Sequence, residues 1–233
     1  MRVEVPEWIS TARETVDAAV ESRQALEKSE SALAANELLS SELPMLAEVS
    51  TAVGIGLRRG WLADRPLQQS GAVVRTALEA VVSKGALRRD VNLLQQSLPK
   101  YVAELRTEVE RNWKEYVEAT VGRIEDIDAL IRLMAALPGQ ESQRKLLEKL
   151  RKPLLDLAKS IPAESSESDL ASVAVELEQA FSQAFGNEDV RQFLLACSRT
   201  GATLDQMNAS VSEWLQHTGA DQLLRIRLGQ SSA

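Results

Sequence analysis

Residues 99–137 read PKYVAELRTEVERNWKEYVEATVGRIEDIDALIRLMAAL, and this stretch decides the fold. Its apolar residues are Val102, Leu105, Val109, Trp113, Tyr116, Val117, Val121, Ile124, Ile127, Leu130, Ile131, Met134 and Leu137. Steps of three and four residues keep these side chains on one side of an α-helix. Gly122 is the one glycine, and the one proline stands at the first position. Unbroken, such a helix would be about 58 Å long at 1.5 Å per residue. The spacing predicts a long central helix over 99–137 within an elongated helical body.

The pattern extends upstream. Leu87, Val91, Leu94, Leu98, Tyr101 and Leu105 follow at steps of 4, 3, 4, 3 and 4, and Val109 and Trp113 continue them. This is a heptad seam. It predicts a helix carried across Pro99 with a kink, its seam turned to a partner helix. Downstream, Pro138-Gly139 ends the central helix.

Around this core the chain reads as further helices. Residues 7–43 carry a modest apolar stripe, and Pro44 marks a bend or break, because an internal proline removes a hydrogen bond. Met45–Leu57 is expected as a second helix. Its Gly54-Ile55-Gly56 lacks the strand, the spacing and the Lys-Ser/Thr of a phosphate loop, so these glycines are read as close-approach points between helices. Asp64 and Pro66 signal a helix start, and Lys84-Gly85 a stop. Residues 140–161 and 170–185 give two more helices, with the polar segment 160–168 between them read as an exposed linker. The expected division is therefore a helical bundle over 1–159, a linker over 160–168 and a C-terminal unit over 169–233.

The C-terminal unit reads as short helices around 188–198, 204–207 and 208–215, with Thr203 and Gln206 spaced as a capping box. Leu204, Met207, Val211, Trp214 and Leu215 are its expected core. Leu223–Leu228 alternates as a short strand. Three helices and a strand outline a winged-helix-like unit. Its last helix exposes Ser210, Ser212, Glu213, Gln216 and His217, poor in the side chains that read bases, so protein contact is the favoured use. The fold class expected is all-α: an elongated helical bundle or antiparallel coiled coil, then this small winged-helix-like unit.

Gly201-Ala-Thr-Leu-Asp205, followed by Val211-x-x-Trp214-Leu215-x-x-x-Gly219 and Arg225-Ile-Arg227, resembles the C-terminal part of large bacterial phage-defence P-loop ATPases of the BREX type. The resemblance spans about 30 residues. Those proteins carry a nucleotide-binding domain, whereas this sequence has no Walker motif. The resemblance thus implies a non-catalytic helical piece, or a companion of such a system, rather than its motor.

Composition narrows function. The chain has 233 residues with formal net charge −7, one cysteine and one histidine. A lone Cys197 in an apolar run fits a reducing cytoplasm and a packing role. A lone His217 gives no metal cluster and no triad. Glu125, Asp126 and Asp128 are the densest acids, but they do not share one helix face. Trp8, Trp61, Trp113 and Trp214 read as packing anchors. No window suits a membrane span, and the N-terminus lacks a signal-peptide core.

Charge is uneven: residues 1–50 hold 4 basic and 10 acidic side chains, residues 51–100 hold 8 basic and 3 acidic. Arg58, Arg59, Lys84, Arg88 and Arg89 are the candidate contacts for phosphate or an acidic partner. The expectation is a non-enzymatic scaffold without cofactor, metal or membrane contact. Its partner is another subunit, a large ATPase among the candidates, or a second copy. The alternative is a component touching DNA phosphates through residues 58–89.

Overall fold

A computed structural model describes residues 7–62, 68–84, 86–199 and 201–222. Within them every element is helical, so the chain is all-α, as its periodicity predicts. The helices are α1 (Glu7–Arg59), α2 (Gln68–Lys84), α3 (Arg88–Val121), α4 (Ile124–Ala136), α5 (Glu141–Lys159), α6 (Ser166–Phe185), α7 (Glu188–Arg199) and α8 (Ala209–Thr218). No helix among the described residues is long and apolar enough to cross a membrane. The expected strand over 223–228 and the helix-start signals Pro6, Asp64 and Pro66 lie outside the described residues, as does Gly85.

Two compact units divide the chain, Met1–Val109 and Glu110–Ala233. The division falls inside α3 rather than at 160–168. That segment instead joins α5 to α6 within the second unit. It is not a free linker, since Pro162 and Ser166 are buried. The Ser166 hydroxyl accepts from the Ala163 N–H at 2.9 Å, which closes the turn into α6.

The first unit packs α1, α2 and the start of α3 around Ala35, Val74, Ala77, Val81, Val91, Leu94, Leu98 and Val102. Pro44 does not break α1, and Met45–Leu57 is not a separate helix. The half-buried Leu38 and Leu39 before the proline, and Leu46 after it, pack on this core and keep the helix continuous despite the lost hydrogen bond. Pro99 is likewise internal to α3, between buried Leu98 and Val102.

The helix expected over 99–137 is two helices. Gly122 takes φ of +84°, a left-handed conformation that other residues adopt at a cost, and its N–H closes α3 on the Glu118 carbonyl at 2.9 Å. Arg123 is extended, and α4 starts anew at Ile124. The close approach expected between helices at Gly54-Ile55-Gly56 is a different contact. A Cβ on Gly56 would meet Trp61 at 2.8 Å, so the chain after α1 folds back onto its own helix end. Gly54 has open space at that position.

In the second unit α5 packs on α4 and α6, and α7 on α4, α6 and α8. The Trp113 indole, fully buried, donates to the Leu157 carbonyl at 2.7 Å and so ties α3 to α5. The Trp214 indole donates to the Ala184 carbonyl at 3.0 Å and ties α8 to α6, its ring tilted against Phe185.

Candidate functional site

The expected partner seam is the chain's own core. Val91, Leu94, Leu98, Leu105, Val109 and Trp113 are each at most 2% exposed, and Tyr101 is half-buried against the first-unit cluster. Of the eight residues only Leu87 is exposed. The correction has a simple cause: heptad spacing records that a face is covered, not which chain covers it.

The basic candidates do not form one patch. Arg58 and Arg59 close the last turn of α1, while Arg88 and Arg89 open α3. Arg88 lines a groove with Glu27, Glu30, Ser31 and Ala34 of α1. Arg58 lies 24 residues beyond Ala34 on that helix, about 36 Å away at the helical rise. Lys84 ends α2, and its side chain lies outside the described residues.

The acidic group disperses among three arginines. Asp128 takes a bidentate contact from Arg151 of α5, with one distance of 3.0 Å. Asp126 pairs with Arg199 of α7, and Glu125 with Arg123 at 3.8 Å. The three carboxylates diverge from one another, and no metal-holding group occurs among the described residues. A cleft of about 210 Å³ runs between the end of α3, α4, α6 and α7. Its charged side chains are already committed: Arg191 lies 4.6 Å from the Phe181 ring and pairs with Glu178 and Glu188.

In the C-terminal unit Val211 and Leu215 are buried and Trp214 and Met207 half-buried, as a core requires. Leu204 is the exception at 66% exposed. The helix expected there is a single 3₁₀ turn, Leu204–Gln206, too short to bury a face. The Thr203 N–H donates to the Gln206 side chain at 2.9 Å, so that half of the capping box forms. His217 is exposed in the last turn of α8. Burial pushes the Cys197 thiol up from its ordinary range, consistent with a packing role.

What sequence reasoning missed is on α1. From Thr15 to Glu30 every residue is exposed except the half-buried Glu27. Val16, Val20, Leu26 and Leu33 stand 48–61% exposed. At 100° per residue they spread over about 140° of the helix surface, and Leu33 points away from buried Ser31 and Ala35. An apolar stripe with nothing of the described chain on it is the feature that the rest of the fold leaves unexplained. The stripe was visible in the sequence; its lack of an internal partner was not. No protein-family model, curated protein or solved structure matches this chain.

Proposed function

We propose that this chain is a non-enzymatic structural and interaction subunit that binds a partner protein through the amphipathic N-terminal half of α1. The observation that carries this reading is the exposed set Val16, Val20, Leu26 and Leu33 on the stretch of α1 that is exposed nearly all round. The contact would be coiled-coil-like, with the stripe as the seam. The α7–α8 region would act as a second, winged-helix-like protein-contact module, in line with the acidic Glu213 on its exposed face. The C-terminal likeness to BREX-type ATPases makes a large ATPase of a phage-defence complex a partner worth testing, in the bacterial cytoplasm.

The nucleic-acid reading draws less support, because its arginines lie at two separated places and the chain is acidic overall. The test of the favoured reading is affinity capture from source cells with quantitative mass spectrometry, comparing the native chain with Leu26→Glu/Leu33→Glu. We expect a partner recovered by the native chain and lost with the double variant, while circular dichroism stays unchanged. Equal recovery by both would defeat this reading.

A further inference from the structure

The exposed stretch of α1 from Val20 to Leu33 is complementary to itself. Its midpoint lies between Leu26 and Glu27. Counting outward, Arg23 and Glu30 stand equally far on either side, and beyond them Val20 and Leu33 do the same. Residues 23, 26, 30 and 33 share one face by the three-and-four rule, with Val20 flanking it about 60° beyond Arg23. We infer that this segment pairs antiparallel with the same segment of a second copy. The inference rests on the reading of the stripe as an interaction surface and names its occupant.

The charges decide both the occupant and the orientation. Antiparallel pairing about that midpoint sets Arg23 of each copy against Glu30 of the other, twice by symmetry. Val20 then stands level with Leu33, also twice, and Leu26 of each copy stands level with Glu27 of the other, close beside the axis. Such an interface is isologous and closes as a dimer. Parallel pairing in register would instead set Arg23 on Arg23 and Glu30 on Glu30, which is unfavourable.

Within one chain Arg23 already reaches the half-buried Glu27 at 3.2 Å, but the arginine itself is exposed and gives up little on turning to Glu30 of a neighbour. Arg88 lines the groove beside Glu27 and Glu30 and tempers the acidity there. Leu33 lies opposite the face that α1 packs on its own core, so the approach is open.

Sedimentation velocity on the full chain tests the pairing. The native chain is expected to pass from monomer to dimer as concentration rises. Arg23→Glu alone and Glu30→Arg alone each create two like-charge contacts, and each is expected to weaken the dimer about tenfold. Arg23→Glu/Glu30→Arg in one chain restores it, because opposite signs face again. Mixing the two single variants restores association as a heterodimer. Circular dichroism checks that helix content is unchanged.

A native chain that stays monomeric at about 100 µM overturns the inference, as does a dimer indifferent to charge reversal or not rescued by the swap. If the chain stays monomeric yet cell capture finds a protein that depends on Leu26 and Leu33, self-pairing fails and the partner-protein reading stands.

Discussion

At the scale of single residues, Trp113 and Trp214 contribute unequally. Trp113 is fully buried, and its indole bonds a carbonyl that also accepts from the Ser160 hydroxyl at 3.1 Å. Trp113→Phe therefore loses volume and one hydrogen bond without orphaning Leu157, a cost of about 1–3 kcal/mol. Trp113→Ala leaves a cavity and should cost about 3–5 kcal/mol. Trp214 is half-buried, so Trp214→Phe is expected to cost less than Trp113→Phe. Urea unfolding followed by circular dichroism ranks the three. Cys197 gives a pH prediction. Its thiol is raised by burial, so folding favours the neutral form. The stability this contributes is present below the ordinary thiol range and is lost as pH rises through the folded value. Alkylation by iodoacetamide should be slower in the folded chain than in urea near neutral pH, and the folded rate should climb as pH rises. Equal rates in the two states would contradict the burial seen here.

At the scale of elements, prolines and a glycine exchange the roles that local rules assign them. Pro44 and Pro99 lie inside continuous helices, while Gly122 separates two. A proline in a helix costs about 3 kcal/mol; apolar packing on both sides opposes that, from half-buried Leu39 and Leu46 at Pro44 and from buried Leu98 and Val102 at Pro99. Gly122 has no Cβ clash to relieve, since nothing lies within 4 Å of where one would stand. Its importance is conformational alone. Gly122→Ala is expected to lower stability by about 1–2 kcal/mol, and Gly122→Asn by less, because asparagine tolerates the left-handed region. Thermal unfolding of the pair checks this. If alanine were neutral, α3 and α4 would be able to join as the single helix that the periodicity of 99–137 describes. The capping box at Thr203 shows the complementary limit. Its spacing was readable, yet it introduces one 3₁₀ turn rather than a helix, because Leu204 finds nothing to pack on.

At the scale of the whole molecule, the sequence conveyed fold class better than arrangement. Apolar steps of three and four are a local property, since they place side chains on one face whatever the rest of the chain does. The all-α class and the positions of most helices were legible for that reason. The scatter of Glu125, Asp126 and Asp128 around their helix was legible too. Which stripe would be covered was not. The seam from Val91 to Trp113 and the stripe from Val16 to Leu33 are written in the same alphabet, yet one is core and the other is bare. Burial depends on what the folded chain brings alongside, and that is fixed by contacts distant in sequence. The basic residues teach the same lesson, being near neighbours in number but placed at separated positions along α1 and α3. Periodicity by itself determined that this protein is built of helices. Tertiary packing alone decided where those helices stop, which faces are spent internally, and which stay exposed.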